Sequence, residues 1–393
     1  MFYVGIDVAS QKHDCCVLNS LGDILTSFSF DNSIVGFSYL RDYLYNLDSP
    51  ENIRIGLEAT GIYGSNLLDF LWRNGFETRT FNPLIIKKRL CATTLRKTKT
   101  DKCDAKFIAE TVMHEAFQPD TPVLYHISEL KSLTRFRFQL IQKRSCVKVQ
   151  IKSILHTLFP EFLSAFSDVF GSSALAVLSK YPSAQQLKNC RLTSLTKLLL
   201  SASRGRLGRC KAEELKNLAG NSIGVFSDAN QFALEMYLQQ LSLFNSQIDK
   251  LDLKIKELMD MIDSPIMSVP GISYTLGASI LSEIGDINRF SSPAKLLAFA
   301  GLEPSIYQSG KFMPESGKMV KRGSPFLRWA LTQAAISVSR YSSTFSSYLQ
   351  KKLSEQKHYN VAVSHTAKKL VRVLFSILSS HHTFIDIPIQ FAP

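Results

Sequence analysis

Residues 97–109 read KTKTDKCDAKFIA, and the placement of Asp101 and Asp104 within them decides the fold. The two acids are three apart where a helical pattern begins. Residues 101, 104, 105, 108 and 112 are spaced 3-1-3-4, so both carboxylates continue the apolar stripe of Ala105, Ile108 and Val112. Carboxylates aimed inward need a metal, a partner or a proton. Two more acids stand earlier in the chain: Asp7 in GIDVAS (5–10) and Glu58 in GLEATGIYG (56–64). They follow the runs Phe2 to Ile6 and Ile53 to Leu57, which read as strands. A single acid at a strand end is ordinarily a turn or cap residue. Four from distant segments that converge make a magnesium site, in which two hard cations ~3.5–4 Å apart clamp the attacking and leaving oxygens of a phosphoryl displacement.

The elements around these acids agree. Strand candidates Phe2 to Val8, Asp14 to Leu18 and Ile24 to Phe30 form a meander with a turn over Asn19 to Asp23. A helix over Ser33 to Leu47, the strand Ile53 to Leu57, a helix over Ser65 to Asn74, the strand Glu77 to Phe81 and the Asp101 helix follow. Three strands in a meander and then alternating helices and strands is the order of an α/β RNase H-like domain.

The chain of 393 residues is long enough for two or three domains, and 45% hydrophobic with 20% charged residues describes a soluble globular protein. No apolar run approaches the ~18 residues of a membrane helix, and MFYVGIDVAS has no basic segment ahead of an apolar run, so a cytoplasmic protein with no membrane partner is expected. The seven cysteines are odd in number and scattered, with no CxxC pair. That pattern argues against a disulfide framework or a zinc site and for buried, reduced thiols.

Beyond about Pro122 the pattern becomes helical. One long helix is predicted over Ser128 to Phe159, stopped by Pro160, with Leu133, Leu140, Val147 and Ile154 seven apart. A second carries Leu234, Leu241, Ile248, Ile255 and Ile262 on one seam and Tyr237, Phe244, Leu251 and Leu258 on the other, a coiled-coil pattern. These helices pair with each other or with another subunit. The domains expected are 1–125, a metal-dependent catalytic domain; 126–160 and 227–263, the coiled-coil helices; 161–226, an inserted helical unit; and 264–393, a mainly α C-terminal domain. In the last, Pro270 to Asp286 reads either as a helix-hairpin-helix, whose turn amides hold a phosphate, or as an ordinary helix turn. Ser292 with Pro293 and Gly301, then Ser324 with Pro325, mark two capped helices around a polar loop, residues 301–323.

The formal charge of +13 is concentrated in segments. Lys87, Lys88, Arg89, Arg96, Lys97, Lys99, Lys102 and Lys106 surround the aspartate pair. Residues 131–160 contain no acid, while Lys131, Arg135, Arg137, Lys143, Arg144, Lys148 and Lys152 lie on the long helix. Phe136 and Phe138 beside them serve as core or as stacking surface. Fields of one sign on this scale suit a polyanion.

The polar loop holds a second candidate site. In GLEPSIYQSGKF (301–312), Tyr307 and Ser309 precede Gly310 and Lys311, with Lys318, Lys321 and Arg322 following. A hydroxyl in a basic loop is a nucleophile toward phosphate when cations stabilise the charge building on the phosphoryl oxygens. Chemistry alone does not choose between the two hydroxyls.

The set GIDVAS, GLEATGIYG, KTDKCDA, SVPGIS, FAGLEPSIYQSGK and KRGSPFLRWAL, in this order, resembles the insertion-sequence one-ten family of transposases, which includes bridge-RNA-guided recombinases and Piv DNA invertases. The likeness covers roughly residues 1–122 and 264–380. It implies a RuvC-like N-terminal domain whose acidic tetrad is Asp7, Glu58, Asp101 and Asp104, holding Mg²⁺, two ions per site, with Mn²⁺ as a substitute. It further implies a C-terminal transposase domain whose nucleophile matches Ser309, a tetramer built as a dimer of dimers with composite active sites, and an element-encoded non-coding RNA that pairs with donor and target DNA. Insertion 161–226 departs from shorter members. Three other readings stay open: a hydrolytic Holliday-junction resolvase, a guide-independent Piv-type invertase, and a non-catalytic nucleic-acid scaffold.

Overall fold

A computed structural model describes residues 1–58, 63–83, 86, 101–115, 117–120, 125–304 and 319–387, and within these the side chains of residues 101, 102 and 125 are not described. The chain divides into two compact units, residues 1–123 and 124–393.

The first unit is built on strands β1 (Phe2–Asp7), β2 (Lys12–Leu18), β3 (Ile24–Asp31), β4 (Ile53–Glu58) and β5 (Glu77–Phe81), in the spatial order β3-β2-β1-β4-β5. β1, β2 and β3 pair antiparallel, whereas β4 joins β1 and β5 joins β4 in parallel. This mixed sheet is the RNase H-like arrangement expected from the element order. One face is covered by helices α1 (Ile34–Leu47) and α2 (Ser65–Arg73). Val4, Ile6, Val17, Ile53, Ile55 and Leu57 pack there against Phe37, Leu40, Leu44, Leu67 and Leu71. The other face takes α3 (Asp101–His114) through Ala105, Ile108, Ala109 and Val112, the stripe read from the sequence.

Two glycines set how closely α3 approaches. A Cβ on Gly5 would lie 2.1 Å from the Ala105 carbonyl oxygen, and one on Gly56 would lie 2.3 Å from Val112 Cγ2. A hydrogen at Gly5 lets helix backbone rest on the centre of β1, and one at Gly56 leaves room on β4 for the Val112 and Ile108 side chains.

The second unit is helical. Helix α4 (Tyr125–Leu158) is followed by α5 (Phe162–Ala165), α6 (Ser172–Lys180), α7 (Ala184–Asn189), α8 (Leu192–Ala202) and α9 (Arg209–Gly220), then by α10 (Asp228–Ile262). Helices α4 and α10 pack on each other and run antiparallel. Arg137 pairs with Asp252 and Arg144 with Asn245, so a step of seven along one helix is a step of seven back along the other. Of the expected seam, Leu140, Val147, Leu234, Leu241, Ile248, Ile255 and Leu258 are buried. The 161–226 insertion packs its helices on one end of this pair, around Phe162, Val177, Leu195, Leu199 and Leu215.

The other end joins α11 (Tyr274–Ile284), α12 (Pro293–Ala300), α13 (Pro325–Tyr341), α14 (Ser343–Ser354) and α15 (Tyr359–Ser380) in one core. The caps are those read from the sequence. Ser292 accepts from the Lys295 amide and Ser324 from the Leu327 amide, and Gly301 adopts a left-handed φ of 67°. The thiols differ from expectation. Cys15 and Cys16 are buried, but Cys103, Cys146 and Cys210 are exposed, since they fall on outward helix positions. No described helix is long and apolar enough to cross a membrane.

Candidate active site

Asp7 and Glu58 are the last residues of β1 and β4, and Ile6 pairs with Leu57 immediately before them. The two acids therefore stand on neighbouring parallel strands, about 4.8 Å apart at the backbone. Both point to the α3 face, in step with Tyr3 and Gly5 on one strand and Gly56 on the other. Each is half-buried.

Helix α3 brings its acids to the same end. Its C-terminal Met113 lies over the β2–β3 turn, with Sδ 3.6 Å from the position a Gly22 Cβ would take. That turn follows Leu18, which pairs with Tyr3, so it lies beyond the start of β1. Ala105 and Ala109 sit over Gly5 in mid-strand. The helix therefore runs against β1, and Asp104 comes next toward the strand end that bears Asp7. The Asp101 backbone lies ~4.5 Å further along the axis. Asp104 is half-buried, and the Asp101 side chain lies outside the described residues. Among the described residues no three His, Cys, Asp or Glu side chains gather tightly enough to hold an ion. The described acids thus give a pair on adjacent strands with α3 directed at them.

One carboxylate escaped the sequence reading. Asp14 pairs with Asp7 across β1 and β2, shares its face, and is 8% exposed. Ser29 on β3 donates a 2.5 Å hydrogen bond to its Oδ1. In the sequence Asp14 looks like the polar start of a strand; its position opposite Asp7 follows only from the pairing register. Next to it His13 is fully buried between Phe30 and Phe37 on the opposite face, and its Nδ1 accepts from the Ala9 amide at 3.2 Å. This fixes the turn that leaves β1 just after Asp7.

The second candidate site falls outside the described residues: Tyr307, Ser309, Lys311 and Lys318 all lie in 305–318. The two ends of that segment are held together by an antiparallel bridge between Pro304 and Met319, with the Val320 amide donating to Glu303 O at 3.0 Å. The return is anchored by Glu283, which the sequence reading also passed over. This carboxylate is 3% exposed and receives two hydrogen bonds from Arg135 and one from Ser324. Burial pushes its pKa up, but those bonds and the charges of Arg135 and Lys131 outweigh burial and hold it below the ordinary value of 4.5.

The basic residues sort into three groups. Lys87, Lys88, Arg89, Arg96, Lys97 and Lys99 lie outside the described residues. Arg135 and Arg137 are committed to Glu283 and Asp252, and Arg144 donates to Asn245. Lys143, Lys152, Lys321 and Arg322 are exposed, while Lys148 is half-buried and lies with Lys152 over the Phe170 ring. Phe138 packs edge-on against Phe326 and Trp329, whereas Phe136 is exposed.

Comparison with known proteins gives these placements a context. Residues 4–160 match a family model described as "Transposase", of the DEDD type, and residues 263–350 match one described as "Transposase IS116/IS110/IS902 family". A mini-circle protein of Streptomyces coelicolor assigned as the transposase of IS117 is 26% identical over 79% of this chain and 78% of its own length. An insertion element IS116 protein of Streptomyces clavuligerus is 23% identical over 98% of this chain and 96% of its own. A pilin gene-inverting protein of Moraxella lacunata is 22% identical, covering 97% of both chains. Among solved structures, Thermus thermophilus RuvC aligns with 28% of this chain and 92% of its own at a TM-score of 0.22 and 14% identity. With one family matched at both ends and relatives aligned along nearly the whole length, the chain belongs to the IS116/IS110/IS902 family of transposases, enzymes that cut and rejoin DNA.

Proposed function

We propose that this chain is the Mg²⁺-dependent transposase of an insertion element, using Ser309 as nucleophile and Asp7, Glu58, Asp101 and Asp104 as metal ligands. The observation that supports the metal half is the pairing of Asp7 with Glu58 at adjacent parallel strand ends, toward which the N-terminal end of α3 runs. The donor set suits the ion: carboxylate oxygens are the hard ligands that Mg²⁺, or Mn²⁺ in its place, prefers. When bound, two such ions would neutralise the scissile phosphate and stabilise the oxygens that enter and leave.

The Ser309 hydroxyl would form a new P–O bond as the bond to the leaving deoxyribose oxygen breaks. That oxygen takes up a proton, and the phosphodiester energy is kept as a phosphoserine ester. Attack by a sugar hydroxyl of donor or target DNA on this ester reseals the strand and returns the proton to Ser309. No external energy source is consumed. Lys311, Lys318, Lys321 and Arg322 would hold the phosphate oxygens beside the serine, and Lys87, Lys88, Arg89, Arg96, Lys97 and Lys99 the strand near the acids. Along α4, Lys143, Lys148 and Lys152 supply the nucleic-acid contacts, since Arg135 and Arg137 already have carboxylate partners. The element's non-coding RNA would guide strand choice, and a dimer of dimers joined through the α4 and α10 coiled coil would place one subunit's serine at another's acids.

The test is a nicked DNA substrate that traps the covalent intermediate. Wild type is expected to form a protein–DNA adduct, and Ser309→Ala to bind the same DNA without one. An adduct that survives in Ser309→Ala moves the nucleophile to Tyr307 or elsewhere. The full-length alignment with pilin gene-inverting proteins favours one second reading, inversion without a guide. Non-coding RNA that copurifies and is required for strand exchange would exclude it.

A further inference from the structure

Helices α13 and α15 enclose a groove of about 380 Å³ lined by Met319, Arg328, Trp329, Gln333, Asn360 and Ser364, among others. Trp329 is 37% exposed there, and its ring is backed edge-on by Phe138 at 5.3 Å. A large aromatic that is packed against a neighbour and still partly open to solvent can serve as a stacking platform. Around it stand two amides, Gln333 and Asn360, both exposed and each offering a donor and an acceptor. Arg328, also on this wall, donates to the Lys321 and Ala300 carbonyl oxygens at 3.2 and 3.4 Å, neutral partners that leave its positive charge in place. Met319 at the rim is the residue bridged to Pro304, so the groove opens where the segment bearing Ser309 begins and ends.

From this combination we infer that the α13/α15 groove holds an unpaired DNA base, stacked on Trp329. A packing aromatic needs neither open amides nor a cation beside it. An unstacked nucleotide uses all three: the ring for the base face, Gln333 and Asn360 for its edge, and Arg328 for its phosphate. The volume is that of a small-ligand site. DNA is the occupant favoured because Met319, on the groove wall, is the described residue from which the chain leads back to the proposed nucleophile Ser309, and to that extent the inference rests on the function proposed above.

The chain has two tryptophans, and Trp72 lies in the other unit, where its indole donates to Thr78 at 2.7 Å. Trp329 fluorescence can therefore be isolated by comparing wild type with Trp329→Phe. Full-length protein is titrated with a labelled single-stranded oligothymidylate, its all-abasic counterpart and oligouridylate, reading anisotropy for binding and tryptophan emission for stacking. Oligothymidylate is expected to quench wild type and not Trp329→Phe, and the abasic chain to bind without quenching. Trp329→Ala should weaken oligothymidylate binding by about 5- to 150-fold and leave the abasic chain unaffected. Gln333→Ala, at an exposed position that does not threaten folding, should weaken it less. Binding of oligothymidylate with no quench, equal quench by the abasic chain, or unchanged affinity in Trp329→Ala overturns the inference and leaves the transposase reading standing. Quenching by oligouridylate alone overturns the assignment to DNA. Absence of binding to every strand overturns both readings.

Discussion

The Arg135 guanidinium grips the Glu283 carboxylate with two hydrogen bonds, Nε to Oε1 at 2.7 Å and Nη2 to Oε2 at 3.1 Å. Ser324 Oγ donates a third to Oε2 at 2.7 Å. These residues come from α4, the end of α11 and the cap of α13, so one buried carboxylate fastens three helices where the chain returns from residues 305–318.

Glu283→Gln should destabilise the second unit by about 1–3 kcal/mol near neutral pH, the lower part applying because Arg135 is 42% exposed and its charge is screened. The folded pKa of Glu283 is depressed, so its stabilisation is full above the ordinary 4.5 and is lost as pH falls through the folded value. Urea titrations at a series of acid pH values should therefore show a shallower acid limb in the variant than in wild type.

Gly5→Ala would place a methyl group 2.1 Å from the Ala105 carbonyl oxygen. That oxygen belongs to helix backbone, which cannot rotate away, so α3 must shift and carry Asp101 and Asp104 with it. The expected outcome is a loss of ~1–3 kcal/mol of stability and of strand cleavage, with binding of DNA through the second unit retained. Thermal unfolding and a cleavage assay on the same preparation check both halves.

How far the sequence led can be judged from such residues. Asp7 and Glu58 were legible because each closes an apolar run of strand length, and α3 because its stripe keeps a helical period. The caps at Ser292 and Ser324 were legible because their chemistry is local. Arg137 and Asp252 were not, since partners 115 residues apart meet only once α4 and α10 lie antiparallel. An acid-free stretch of cations therefore read as suited to a polyanion, although part of it is spent on helix pairing. Asp14 and Glu283 were hidden for the same reason: a strand register and a helix junction, not a motif, give them neighbours.

His13 should make the first unit sensitive to acid. Burial lowers its pKa below 6.5, with Asn32 and Asp14 opposing more weakly. Its Nδ1 accepts from Ala9 and has no room for a proton. Stability is therefore full above 6.5 and falls as pH drops from there toward the folded value, because the unfolded chain binds the extra proton. His13→Phe should flatten this slope in circular-dichroism melts between neutral pH and pH 5.

The sorting of cations along α4 predicts two kinds of variant. Lys143→Gln and Lys152→Gln should each weaken DNA binding uniformly across sequences and reduce the slope of log affinity against log salt by about 1. Arg137→Gln should leave that slope unchanged and instead lower the melting temperature, since it releases Asp252. Anisotropy titrations at several salt concentrations separate the two behaviours.

The most direct test of the account is a Mn²⁺ titration followed by electron paramagnetic resonance, which reads the free ion without requiring catalysis. Wild type should remove about two ions per chain from solution, with Asp7→Asn, Glu58→Gln, Asp101→Asn and Asp104→Asn each binding fewer or more weakly. Equal Mn²⁺ binding by wild type and all four variants would contradict it.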